Sequence, residues 1–189
     1  MGVIRTFVAV EASAEQRGHA ARLIERLKHA EAHVKWVAAE NLHWTLNFLG
    51  NVDDREVHNV CRAVSESVSG FEPFELTSVG AGAFPDTRRP RTVWTGVSAG
   101  TEHVVSLQQA IEAGVQPLGF PPEARRFHPH LTLGRVRGKG PQTQQLGELI
   151  AEHAKFSVGK VIVDQVVVFS SRLDKSGPRY TPLAHVDLA

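Results

Sequence analysis

The sequence predicts an α+β fold with an internal duplication, and three observations carry that reading. Helix-like and strand-like stretches alternate along the chain. Several neighbouring strand-like stretches are joined by short links, which favours antiparallel pairing. One four-residue pattern, His-x-Thr-Leu, occurs twice about half a chain apart.

The helices are marked by caps and spacing. Ser13 with Gln16 has the form of a capping box, and Ala20, Leu23, Ile24 and Leu27 follow at helical spacing. Asp53 with Glu56 opens a second helix, whose inward stripe is Val57, Val60, Cys61, Val64 and Val68. Thr101 opens a third, carrying Val104, Leu107, Ile111 and Val115. Pro141 suits the first position of a fourth, with Leu146, Leu149 and Ile150 behind it.

Strand-like runs fall at roughly 3–10, 33–37, 42–49, 73–80, 91–97, 129–137, 156–170 and 179–187, punctuated by Gly50-Asn51, Gly80 to Gly82 and Gly138 to Gly140. A doubly wound parallel sheet is the weaker fit. Gly80-Ala81-Gly82 lacks a third glycine and leads into Phe84-Pro85 instead of a helix, so no phosphate-binding glycine loop follows a strand.

Composition sets bounds on function. The 189 residues suffice for one domain, or for two small lobes sharing a cleft. Lys and Arg total 21 against 20 Asp and Glu, so the chain is not a general electrostatic clamp for DNA, and any nucleic-acid contact must be local. Cys61 is the only cysteine, which excludes an intramolecular disulfide and a cysteine-rich metal site. No apolar run approaches the ~20 residues that span a bilayer, and the first residues read as a strand instead of a secretory leader. The expected location is cytoplasmic, without a membrane partner.

The repeated pattern carries the chemistry. His43-Trp44-Thr45-Leu46 and His130-Leu131-Thr132-Leu133 each lie in a strand-like run. Side chains two apart on a strand share a face, so His43 joins Thr45 and His130 joins Thr132, while Trp44, Leu46, Leu131 and Leu133 take the opposite face and anchor each strand. If the halves are related by a pseudo-two-fold axis, the two His–Thr pairs meet across a cleft.

That arrangement suits phosphoester chemistry. Two imidazoles titrating near neutrality can serve one as base and one as acid. The threonine hydroxyls can donate to the non-bridging oxygens where charge grows. Arg135 lies three residues beyond Thr132 and leans to the wrong face of a regular strand; it reaches the phosphate only if a bulge at Gly134 redirects it.

These motifs and their flanks resemble the two-histidine phosphoesterases, and within them the RNA 2′,3′-cyclic phosphodiesterases, also called 2′-5′ RNA ligases. The resemblance runs through Arg5 to Val10, Val34 to Val37, Glu40 to Gly50, Gly82 to Pro85, Arg91 to Trp94, Phe127 to Arg135, and Ser170 to Leu173 with Gly177 and Tyr180. It implies one domain, 1–189, of two pseudo-symmetric lobes, with two antiparallel sheets around a central cleft and helices outside.

It also implies metal-independent hydrolysis of 2′,3′-cyclic phosphate RNA ends to 2′-phosphomonoesters, with ATP-independent 2′-5′ ligation as an accompanying activity. By that resemblance His43 and His130 are catalytic, and Thr45, Thr132 and Arg135 bind phosphate. For a 2′-phosphate product the 3′ oxygen must leave. The sequence does not assign the two roles; we take His43 as the acid and His130 as the base.

Further candidates surround this centre. Arg88, Arg89 and Arg91 form a basic loop suited to an RNA backbone, and Arg126 precedes the second motif. Trp36, Phe84 and Tyr180 are candidates for stacking on a base, whereas Phe48 reads as core. His128 shares a strand face with His130, yet no carboxylate or cysteine lies close by to complete a metal site, so no metal and no cofactor are expected. The expected partner is RNA with a 2′,3′-cyclic phosphate end, acted on by a monomer with no obligate protein partner. A non-catalytic RNA-end-binding module, or a phosphodiesterase for 2′-5′ oligonucleotides or small cyclic nucleotides, would use the same cleft.

Overall fold

A computed structural model of the chain describes residues 2–175 and 177–189. Its strands are β1 (Val3–Glu11), β2 (Val34–Trp36), β3 (His43–Asp53), β4 (Phe74–Phe84), β5 (Thr92–Ala99), β6 (Leu131–Val136), β7 (Ser157–Val163), β8 (Gln165–Asp174) and β9 (Gly177–Asp187). The helices are α1 (Ala14–Lys28), α2 (Val57–Val68), α3 (Thr101–Val115) and α4 (Pro141–Glu152).

All strand pairings are antiparallel, in the order β7-β4-β5-β6-β3-β1-β8-β9, with β2 added on β6. The two halves of this curled sheet meet at β3 and β6 through a single register pair, Trp44 with Leu131. Each half is four strands wide along that path, β3-β1-β8-β9 and β6-β5-β4-β7, so the two antiparallel sheets expected from the sequence are joined at a seam into one continuous sheet. The run expected at 156–170 is two strands. β7 ends at Val163 against β4, Asp164 turns the chain, and β8 crosses to pair with β1 and β9.

The helices pack on the side away from the cleft. Val60, Val64 and Val68 of α2, Val104, Leu107 and Ile111 of α3, and Leu146 and Ile150 of α4 are all buried in the main core. Trp44 and Leu131, the seam residues, are buried there too. Burying Trp44 places its indole N–H out of reach of water, and Gln16 Oε1 accepts it at 3.2 Å. An unmet donor there would cost about 1–3 kcal/mol.

This use of Gln16 departs from the sequence reading. Ser13 Oγ accepts the Gln16 N–H at 3.1 Å as a cap should, but the Gln16 side chain turns inward instead of closing a capping box. The second helix also starts later than expected. Asp53 caps a short 3-10 turn, Asp54–Glu56, through the Arg55 N–H, and α2 begins at Val57. Gly80 does not end a strand; it sits at a bulge inside β4, between the pairs Val79–Gly96 and Ala81–Thr95, with φ of 86°.

Candidate active site

The seam sets the site. Trp44 and Leu131 point into the core, so the residues flanking them point into the cleft. Extending that register would place His43 beside Thr132 and Thr45 beside His130, the diagonal imidazoles being ~7–8 Å apart at their strand origins. Only the one pair forms, so the strands splay on either side and the cleft opens between the histidines.

Bulges then decide what stands next to them. On β6, Gly134 pairs with Val93 and Thr132 with Trp94, leaving Leu133 as the extra residue. Leu133 is buried and Val136 packs on the core, so Arg135 comes back to the cleft face, as the sequence reading required of a bulge near Gly134. Its guanidinium reaches Thr92 Oγ1 at 3.5 Å and its charge is felt by both His130 and Tyr180. Gly134 is itself close-packed; a Cβ there would stand 2.7 Å from the Trp36 ring.

On β3 the same device operates twice, at Leu46 and Leu49. The first shift carries Phe48 out of the core and into the cleft, where it is 59% exposed. The expectation of a core Phe48 is therefore corrected: regular alternation from Trp44 and Leu46 puts it inside, and the bulge reverses its face. Phe48 stacks on Phe7 at 5.6 Å, and the Arg5 guanidinium lies 5.8 Å from its ring centre.

The two imidazoles are anchored alike. His43 Nδ1 lies 2.8 Å from the carbonyl of Asn41, and His130 Nδ1 lies 2.7 Å from the carbonyl of His128. A carbonyl only accepts, so Nδ1 carries the proton in both and Nε2 is left for the cleft. Burial pushes both imidazoles below 6.5, outweighing the backbone bonds that raise them. Their charged surroundings differ. Glu11, the register partner of His43, favours its protonated form. His128 and Arg135 disfavour that of His130. Neither the Thr45 nor the Thr132 hydroxyl has a side-chain or backbone partner among the described residues.

Aromatic rings wall both histidines. His43 stands 4.9 Å from Phe7 and edge-on to Tyr180 at 5.2 Å. Burial raises the Tyr180 phenol above its ordinary value, with Arg135 and Arg5 opposing. His130 stands edge-on to Phe84 at 5.0 Å, and His128 packs against Phe84 and Trp94. Phe7, Trp94 and Phe169 escaped the sequence reading as site residues. The usable signal for Trp94 was the glycine opposite it: a Cβ on Gly82 would stand 2.4 Å from the indole. We expect Gly82→Ala to push Trp94 toward His128 and His130 and to lower kcat/KM by about 10- to 100-fold. Steady-state turnover checks this, with tryptophan emission reporting the ring's displacement; unchanged turnover would exclude a positioning role for the indole.

Other candidates lie elsewhere. Trp36 pairs with Gly134, packs on the core, and makes no ring contact with either histidine among the described residues. Arg126 is exposed before β6 and, among the described residues, makes no ion pair or side-chain hydrogen bond. Arg88, Arg89 and Arg91 line a groove next to the cleft instead of the cleft itself. Cys61 is half-buried against the core, where burial raises its thiol. No three His, Cys, Asp or Glu side chains converge as a metal site among the described residues, and no helix among them is long and apolar enough to cross a membrane.

Two His-x-Thr strands facing one cleft, each imidazole held through Nδ1, define a two-histidine phosphoesterase site. The chain belongs to the LigT like Phosphoesterase family, which matches it in two stretches, residues 10–94 and 96–180. It is 40% identical over 181 residues to the RNA 2′,3′-cyclic phosphodiesterase of Methanothermobacter thermautotrophicus, covering 95% of this chain and 96% of that one. It is 35% identical over 174 residues to the RNA 2′,3′-cyclic phosphodiesterase of Aeropyrum pernix, covering 91% and 96%. The crystal structure of E. coli LigT complexed with 3′-AMP superposes with a TM-score of 0.79 at 26% identity, covering 100% of this chain and 99% of that one.

Proposed function

We propose that this chain is an RNA 2′,3′-cyclic phosphodiesterase that opens the cyclic phosphate to a 2′-phosphomonoester without a metal, and that it also joins RNA ends through a 2′-5′ bond. The observation that carries this reading is the matched pair of imidazoles, each presenting Nε2 to one cleft beside a threonine hydroxyl that has no partner among the described residues. Relatives with the same name in two archaea support the substrate class. The 3′-AMP held by the E. coli neighbour supports a nucleotide end in the cleft.

In this mechanism His130 Nε2 takes the proton of the attacking water. Burial keeps that imidazole neutral beforehand, with His128 and Arg135 adding to it. His43, whose protonated form burial disfavours and Glu11 partly restores, gives its proton to the departing 3′ oxygen. Thr45 and Thr132 donate to the non-bridging oxygens, and Arg135 balances their charge. Phe48 and Tyr180 offer the nucleobase an aromatic surface on the His43 side. One chain supplies every group this mechanism uses, which supports a monomer as the working unit.

The test is incubation of the protein in excess EDTA with a short RNA ending in a 2′,3′-cyclic phosphate, followed by identification of the product. A 2′-phosphate is expected; a 3′-phosphate, or dependence on added metal, overturns the mechanism.

The pH dependence has a definite sign. The base must be deprotonated, so the rate rises as pH rises through its pKa. The acid must be protonated, so the rate falls as pH rises through its own. Both imidazoles of the free protein lie below 6.5, and kcat/KM reports the free enzyme. The bell in kcat/KM is therefore centred below pH 6.5. An anionic phosphate between the rings favours their protonated forms, so the bell in kcat moves to higher pH. A kcat/KM optimum above pH 7 contradicts this arrangement.

A further inference from the structure

The cleft is asymmetric in a way hydrolysis alone does not need. The position five residues beyond His43 is Phe48, and the position five beyond His130 is Arg135. Beyond Arg135 the charge continues. A groove of about 1330 Å³ runs between the 85–91 loop, the turn after β6, and α4, and it carries Arg88, Arg89, Arg91, Arg137 and Lys139. All five are exposed. Arg88 has a loose pairing with Asp86, at 3.9 Å; the other four have no carboxylate partner among the described residues. In a chain with 21 cations and 20 anions, five clustered cations are a local feature.

The groove is built and held. Asp86 Oδ1 accepts the N–H groups of Arg88 and Arg89 at 2.8 and 3.0 Å, fixing the loop. The Arg91 N–H donates to the Phe84 carbonyl at 2.8 Å, and the Val136 N–H donates to the Arg91 carbonyl at 2.9 Å. Gly147 of α4 lets Thr87 approach so closely that a Cβ there would stand 1.9 Å from the Thr87 oxygen. The groove also begins at the site: Pro85 lines it, and the adjoining Phe84 ring stands against His130.

We propose that this groove binds the single-stranded RNA that supplies a 5′-hydroxyl, so that the cleft holds two RNA ends at once. The inference rests on the phosphodiesterase reading and its assignment of His130 as base. The exposed aromatic surface of Phe48 places the nucleoside of the cyclic end beside His43. The attacking group then arrives on the His130 side, where the groove opens. In ligation the 5′-hydroxyl gives its proton to His130 Nε2 as its oxygen bonds to phosphorus. The bond from phosphorus to the 3′ oxygen breaks, and His43 protonates that oxygen. The product is a 2′-5′ phosphodiester with a free 3′-hydroxyl, and no other reactant is consumed. The phosphates of the incoming strand lie along the cations, and the first turn of α4 adds its positive end.

The test uses the double variant Arg137→Gln, Lys139→Gln, two exposed side chains outside the catalytic cleft. An RNA ending in a 2′,3′-cyclic phosphate is incubated with a 5′-hydroxyl hexamer, and ligated and hydrolysed products are measured together. The expected result is a fall of at least about tenfold in the ratio of ligation to hydrolysis, with hydrolysis of a 2′,3′-cyclic mononucleotide unchanged. Binding of the hexamer alone, followed by anisotropy, should weaken, and its log–log salt slope should flatten by about 1.4, at about 0.7 per phosphate contact. An unchanged ratio overturns the proposal. So does a parallel loss of ligation and RNA hydrolysis, which would put the strand bearing the cyclic end in the groove. If the wild-type protein turns over neither substrate, the enzymatic reading fails; the hexamer-binding arm still reads the groove, and equal binding by the variant overturns it.

Discussion

His43→Ala and His130→Ala each lower the rate of cyclic-phosphate opening by about 10²- to 10⁴-fold, the range of one positioned acid or base. The double variant loses little beyond the worse single variant, because an acid and a base that act in one transition state are not additive. Folding is retained. Each ring lines the cleft instead of the main core, and its Nδ1–H is bonded to a carbonyl only two residues away that opens toward solvent once the ring is gone. Rates on a cyclic-ended RNA, with circular dichroism as the control for folding, measure this. Full activity in the double variant would end the two-histidine mechanism.

Removing a threonine hydroxyl has the next largest effect. Thr45→Ala and Thr132→Ala each lower kcat by about 10- to 1000-fold, as for one donor to the charge that develops in the transition state. The loss falls on kcat more than on KM, because the non-bridging oxygens gain charge only as the bond breaks. Thr45→Ser and Thr132→Ser keep the hydroxyl and recover most of the rate. Neither hydroxyl has a protein partner among the described residues, so neither substitution exposes a buried unmet group there. A loss confined to KM would show that the hydroxyls hold the ground state only.

The centre of this site was legible in the sequence because it obeys a simple period. His43 with Thr45, and His130 with Thr132, alternate against buried Trp44, Leu46, Leu131 and Leu133. The pattern fails where the strands depart from two-residue alternation. The extra residues at Leu46 and Leu133 have the composition of ordinary strand, and nothing marks them as bulged. Strict alternation therefore puts Phe48 on the wrong face, and it brings Arg135 to the cleft only through a bulge.

The aromatic floor was hidden for a different reason. Phe7 and Ala9 are as buried as Val8 and Val10, so β1 shows no alternation to tell cleft from core. β7 and β8 merge into one expected run because only Asp164 and Gln165 interrupt two apolar stretches. Arg137 and Lys139 lie far from Arg88 and Arg89 along the chain, and the pairing of β5 with β6, together with the packing of α4 against the 85–91 loop, joins them in one groove.

The strand order has one more consequence. The register pairs align β3 with β6, β1 with β5, and β8 with β4 as equivalent positions in the two halves of the sheet. Yet β4 comes from the first repeat and completes the half containing β5 and β6, whereas β8 comes from the second and completes the half containing β1 and β3. The first repeat thus lends β4 and the second lends β8 to the other half, as two subunits do in a swapped dimer, but here within one covalent chain. Neither repeat alone can close a sheet, and neither histidine has a complete wall until both repeats have been made.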